Sequence, residues 1–276
     1  MKTCSICGKE YVKRDEFKNK ELPEFFPQHL LYRAACECET KERERLERER
    51  EERIKEEEKL AKEWREEAER TNRINRAKKY RDITVTDNMF KLSTFDNADM
   101  SPVFMKLAKK YTDKFVEKDG LPQGLRFTGD VGLGKTFASA CIANELLDKD
   151  YAVLFIRLGL YLLKIKEAFD NKTDKNAAIV EKELLKLAGG CDLLIIDDFG
   201  TEGSSEFVRE KVFNLIDERY RNLKPIIIST NLSIHDIKRQ FGARVADRVD
   251  AMTATVALEG VSRRKANKKS LKELLA

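Results

Sequence analysis

One run near the middle of the chain constrains the rest: Gly129-x-x-x-x-Gly134-Lys135-Thr136, inside LRFTGDVGLGKT. A short apolar stretch precedes it and FASACIANELL, with helical apolar spacing, follows. This is the strand–loop–helix setting that a phosphate-binding loop requires. Gly129, Gly132 and Gly134 allow the tight turns that aim successive N–H groups into one concavity, and the helix N-terminus adds its partial positive charge. The whole run Gly129, Asp130, Val131, Gly132, Leu133, Gly134, Lys135, Thr136 and Phe137 is therefore expected to line a nucleotide. Lys135 suits the β- and γ-phosphates, and the Thr136 hydroxyl suits a Mg2+ that keeps most of its waters.

Downstream, apolar runs of strand type alternate with amphipathic stretches. AVLFIRL, DLLIIDD, PIIIST and TATVAL are the strands, and Gly159 to Phe169, Ala177 to Leu187 and FVREKVFNLIDERYRN the helices. Alternation at this spacing predicts an α/β fold with a parallel sheet sandwiched by helices and nucleotide at the carboxyl ends of the strands.

Two of those strand ends carry chemistry. LLIIDDFG delivers Asp197 to the sheet edge, where it can hold Mg2+ through water, and sets Asp198 beside it to orient an attacking water. Many ATPases have Glu at the second position, so Asp198 suggests slow turnover. PIIIST ends at Asn231, whose amide can position the lytic water; the competing use is as the cap of a helix beginning near Ser233.

Composition bounds the remainder. The chain has 276 residues, 54 Lys and Arg against 49 Asp and Glu, and a net charge of +5. Any basic nucleic-acid surface must therefore be local. Charged residues reach 37% with a mean hydropathy of −0.55, the longest apolar stretch is too short to span a bilayer, and the N-terminus lacks a signal-peptide pattern, so a cytoplasmic location with no membrane is expected. Residues 1–38 hold four of the six cysteines. Cys4-x-x-Cys7 and Cys36-x-Cys38 form a Cys4 set suited to structural Zn2+, with His29 as a substitute ligand and free thiols as the alternative. Cys141 and Cys191 sit in apolar contexts and read as core thiols. Residues 39–80 are largely Glu, Lys and Arg without Gly or Pro, a pattern of i,i+3 and i,i+4 pairs that predicts an exposed helical linker more than a coiled coil. Its basic end, RINRAKKYR, has two readings, phosphate contact or a solubilising patch. The expected domains are thus 1–38, 39–80 and an ATPase domain over 81–276.

With the phosphate loop, the Asp-Asp strand end, STN, FGARVADRV and EGVSRR all quoted, the chain resembles the DnaC/DnaI-type replicative helicase loaders, AAA+ ATPases of the IstB-like ATP-binding family. STFDN and the N-terminal cysteine module add to the likeness. The resemblance implies an ATP- and Mg2+-dependent ATPase that self-associates through its ATPase domain. It also implies a grip on the hexameric replicative DNA helicase through the N-terminal module, and help in placing that helicase on single-stranded DNA. Carried over residue by residue, it marks Lys135, Asp197, Asp198 and Asn231, Arg248 as an arginine finger acting on a neighbour's ATP, and Arg264 or its neighbour Arg263 as sensor 2. An ordinary ion pair with Asp247 or Asp250 is the alternative for Arg248. The short tail after Gly260 leaves no room for the helical lid of larger AAA+ proteins. Competing readings are an IstB-like transposition helper, an ATP-switched DNA-binding adaptor with little catalysis, and a small-molecule kinase.

Overall fold

The computed structural model describes residues 3–21, 27, 32–34, 36–84, 88–170, 174–260 and 262, and it divides into two compact units, Met1–Glu69 and Arg70–Ala276. In the second unit, apolar runs from five parts of the chain meet as a parallel sheet. Its strands are β3 (Gly124–Thr128), β4 (Val153–Arg157), β5 (Leu193–Phe199), β6 (Ile226–Thr230) and β7 (Thr253–Ala257), in the order β4-β5-β6-β3-β7. Every pairing is parallel. Both faces of such a sheet must be covered, which is why its strands read as unbroken apolar runs.

Period-two alternation sorts those runs between two cores. Leu125, Phe127, Val153, Leu193, Ile195 and Ile227 face one apolar cluster, together with α3 (Val103–Glu117) and α4 (Lys135–Asp148). Leu154, Leu194, Ile196, Ile226 and Ile228 face the other. There they meet α5 (Leu158–Asp170), α6 (Asp174–Gly190), α7 (Glu206–Arg221), α8 (Ile234–Phe241) and α9 (Ala243–Met252). The strands and helices read from the sequence are present; α8 and α9, separated at Gly242, follow β6 in addition.

Within the second core Arg219 is completely buried and has no carboxylate partner among the described residues. Its guanidinium instead donates to the carbonyls of Ala188, Cys191 and Pro225 at 2.9, 2.8 and 2.6 Å. Ala188 and its neighbours end α6, where the carbonyls carry the negative end of the helix dipole, so the charge is compensated by the backbone.

The charged stretch forms one helix, α1 (Cys38–Thr84). From Arg70 onward it belongs to the second unit, and the basic segment RINRAKKYR packs there against carboxylates and carbonyls. Arg73 pairs with Asp119 at 2.6 Å and stacks on Tyr151, Arg76 pairs with Asp192, and Arg81 pairs with Asp148 at 2.9 Å. Tyr80 Oη donates to Leu187 O at 2.8 Å. Thr84 Oγ1 donates to Val153 O and accepts from Phe155 N, covering polar groups on the open edge of β4. These arginines are held by acids of their own unit, which neither reading of the segment anticipated. A short helix α2 (Asn88–Leu92) then leads on, its Phe90 edge-on to Phe155 at 5.1 Å.

The first unit contains a small antiparallel pair, β1 (Tyr11–Lys13) with β2 (Tyr32–Ala34), and the start of α1. Along α1 up to Glu69, pairs such as Arg45–Glu42 and Lys62–Glu66 lie one turn apart on the exposed helix, as the charge pattern predicted. Among the described residues, no helix is long and apolar enough to cross a membrane.

Candidate nucleotide-binding site

The phosphate loop runs from the end of β3 to the start of α4, at the carboxyl edge of the sheet. Gly129 and Gly132 take φ of 142° and 87°, and neither tolerates a side chain: a Cβ would lie 2.4 Å from Leu258 O at Gly129 and 2.2 Å from Ser262 Oγ at Gly132. The segment after β7 thus lies against the loop, with Leu258 N donating to Thr128 O at 2.7 Å. Gly134 caps α4 without a side-chain acceptor, so the first N–H groups of that helix remain available to an anion.

The three motifs read separately from the sequence are wired together. Lys135 Nζ donates to Gly129 O at 2.6 Å, to Asp130 O at 2.8 Å and to Asn231 Oδ1 at 2.5 Å. Thr136 Oγ1 donates to Asp197 Oδ1 at 2.9 Å. STN uses all three of its side chains: the Ser229 hydroxyl pairs with that of Ser139 at 2.9 Å, Thr230 Oγ1 donates to Phe199 O at 2.6 Å, and Asn231 takes the lysine. The helix after it is capped by Ser233 in a capping box with Asp236, so Asn231 is not that cap.

The two aspartates differ in environment. Asp197 is buried, its Oδ2 carries no aligned hydrogen bond, and its pKa is pushed up by burial and then by the charge of Asp198, against the hydroxyls of Thr136 and Ser229. A buried acceptor beside a threonine hydroxyl at the foot of a phosphate loop fits a hydrated Mg2+. Asp198 is exposed at a β-bulge and holds a left-handed φ of 54°, which turns its carboxylate out of the strand.

A cavity of about 800 Å³ opens over these groups and is lined by Val131, Gly132, Gly134, Lys135, Thr136, Phe137, Asp198 and Asn231. Leu133 points instead into the apolar core. The lining includes residues the sequence reading missed, among them Phe104 from α3 and two cations, Arg157 and Lys164. Arg157 ends β4 in register with Asp197, so it occupies a carboxyl strand end like the acids. That position was the available signal. Arg248, on α9, is not among the residues lining this cavity; His29, Arg263 and Arg264 lie outside the described residues.

In the first unit the sulfurs of Cys4, Cys7, Cys36 and Cys38 lie within 4.8 Å of one another. Gly8, with φ of 74°, turns the first pair back, Gly8 N donating to Cys4 O at 2.9 Å. Four thiolates about 2.3 Å from a tetrahedral Zn2+ would be about 3.8 Å apart, so the cluster has the donors and nearly the span of a closed site. The backbone N–H of Lys9 and then the Cys36 thiol bring Cys7 down to about 7, while Cys7 pushes Cys36 up to about 12.

Over 188 residues the chain is 28% identical to the replicative helicase loader DnaI of Bacillus subtilis (strain 168), covering 62% of this chain and 58% of that one. Over 142 residues it is 30% identical to the replicative helicase loader DnaC of Escherichia coli (strain K12), covering 51% and 55%. It thus spans little more than half the length of these curated relatives. A crystal structure of the DnaC helicase loader matches with a TM-score of 0.54 at 24% identity, over 63% of this chain and 100% of that one, and shares the AAA+ P-loop fold. Residues 30–271 match the IstB-like ATP binding protein family. With that match spanning most of the chain, and a glycine-lined loop wired to the ends of β5 and β6, this protein belongs to the IstB-like ATP-binding family.

Proposed function

We propose that the protein is an ATP-dependent loader of the hexameric replicative DNA helicase onto single-stranded DNA, hydrolysing ATP at a site completed by a second copy of the chain. The observation that carries the catalytic part is the joining of Lys135 to Asn231 and of Thr136 to Asp197, with Lys135, Thr136, Asp198 and Asn231 lining one cavity. When ATP enters, Lys135 exchanges its carbonyl acceptors for β- and γ-phosphate oxygens. Thr136 and Asp197 would hold Mg2+, which would supply neutralisation of phosphate charge. Asp198 and Asn231 orient a water toward the γ-phosphorus; its attack breaks the bond to the β–γ bridging oxygen and releases ADP and phosphate. Arg248 of one copy stabilises the charge that spreads over the transferring group in another. Arg263 or Arg264 supplies sensor 2.

The loader reading rests on the likeness to DnaI and DnaC. Residues 1–38, held by Zn2+ on Cys4, Cys7, Cys36 and Cys38, form the helicase-binding module, residues 39–80 the linker, and the protein works in the cytoplasm. Loading is tested by capture of the purified hexameric helicase. Full-length protein is expected to capture it and to place it on single-stranded DNA with ATP, while protein starting at Arg70 binds ATP and captures none. That start keeps Arg73, Arg76 and Tyr80, which pack against the ATPase unit. Equal capture by the truncated protein would move the partner site elsewhere.

A further inference from the structure

Arg248 has neither of the local partners its sequence neighbours offered. Its Nη1 lies 2.6 Å from Asp217 Oδ1 on α7, and its guanidinium sits over the rings of Phe213 and Tyr220, 4.8 and 5.2 Å from their centroids. Asp250 is engaged elsewhere, accepting from Arg126. The Arg248 and Asp217 side chains are only 21% and 19% exposed. On the other side Asp217 is braced by Arg221, 3.7 Å away on the same helix.

The two ends of the guanidinium are treated differently. Nη1 is buried and meets the carboxylate as an ion pair without an aligned hydrogen bond, whereas Nε and Nη2 keep some exposure and make no hydrogen bond among the described residues. An ion pair serving stability alone gains most from a bidentate fork. Here one nitrogen is held by charge, the guanidinium lies over two rings of the same helix, and the remaining donors make no hydrogen bond among the described residues. Such an anchor removes the rotamer freedom that a long side chain otherwise loses on meeting its target.

We propose that Asp217, with Phe213 and Tyr220, is a socket that aims Arg248 at the γ-phosphate of ATP bound to a second copy, which makes Asp217 a positioning residue for hydrolysis. The inference rests on Arg248 acting as a finger. A misaimed finger costs turnover and leaves ATP binding intact, because ATP is held by the other subunit's phosphate loop.

The test is steady-state ATP hydrolysis by full-length protein with single-stranded DNA, alongside thermal melts. Asp217→Ala should lower kcat roughly tenfold to a hundredfold with KM for ATP unchanged, and Asp217→Glu should restore most of it. Mixing Asp217→Ala with Lys135→Ala should recover turnover, since the second supplies an intact socket and finger to the first one's ATP. Loss of ATP affinity and thermal stability without recovery on mixing would make Asp217 merely structural and overturn the socket. Loss of turnover in Arg248→Ala but not in Asp217→Ala would overturn the socket alone. Wild-type turnover in Arg248→Ala would overturn the finger itself.

Discussion

From Met1 to Glu69, Cys4 is the one buried side chain among the described residues, whereas Arg70–Ala276 encloses an apolar cluster on each face of its sheet. The difference teaches what each region can be held by. Burial of apolar surface, at about 25 cal/mol per Å², stabilises the second unit. The β1–β2 module of the first has almost none to bury and instead brings four sulfurs together. Helix α1 repeats the contrast along its own length. Before Glu69 its charges answer one another across single turns and Trp64 is exposed; after it, Arg73, Arg76, Tyr80, Arg81 and Thr84 engage the rest of the second unit.

The strongest way to break this comparison is to remove metal. Structural zinc contributes about 10–16 kcal/mol in small modules. Freshly reduced protein should contain one zinc per chain, and chelation should make residues 1–38 protease-sensitive while the melt of the second unit is unchanged. Zinc-free protein with a protected N-terminus would erase the distinction. Within the second unit, Arg219→Met should cost about 3–5 kcal/mol, because three buried carbonyls lose their donor. Denaturant titration should show that loss with zinc content unaltered.

Asp197→Asn sharpens the contrast between stability and function. Burial and Asp198 raise the Asp197 pKa, so the fold favours the protonated acid. Its stabilising effect is complete below the ordinary carboxylate range and is lost as pH rises through the raised value. The nucleotide-free variant should therefore melt higher than wild type at pH 7, with the gain closing as the pH is lowered toward 4, and should lose Mg2+-dependent ATP binding. An unchanged or lower melt at pH 7 would contradict the assignment. Smallest of all, Tyr80→Phe should cost about 1 kcal/mol, and Glu66→Gln, on the exposed half of the same helix, less than about 0.5 kcal/mol. Equal losses in denaturant titrations would mean that α1 is not divided as described.

Where an element's logic is local, the sequence disclosed it. The phosphate loop, the Asp197–Asp198 strand end, the Cys pairs and the five strands of the sheet each depend on residues close together in the chain. What the sequence withheld depends on distant partners. The arginines of RINRAKKYR look like a nucleic-acid patch until Asp119, Asp148 and Asp192 are brought beside them. Asn231 has two local uses, and only the arrival of Lys135 and the Ser233 capping box separates them. Arg248 had acids one and two residues away, yet its partner lies on another helix because α7 and α9 pack on the same face of the sheet. Arg157 lies inside the strand run AVLFIRL, and only the register of the sheet brings it level with Asp197.

The most direct test of the account is phosphate release from Mg2+-ATP by the full-length protein with single-stranded DNA, read beside ATP binding for two variants. Wild type should hydrolyse slowly. Lys135→Ala should bind ATP at least a hundredfold more weakly, about 2.7 kcal/mol, and Asp198→Asn should bind it as wild type does while releasing no phosphate. Micromolar ATP affinity in Lys135→Ala, or wild-type hydrolysis in Asp198→Asn, would contradict the claim that this cradle and these strand ends form one ATP-hydrolysing site.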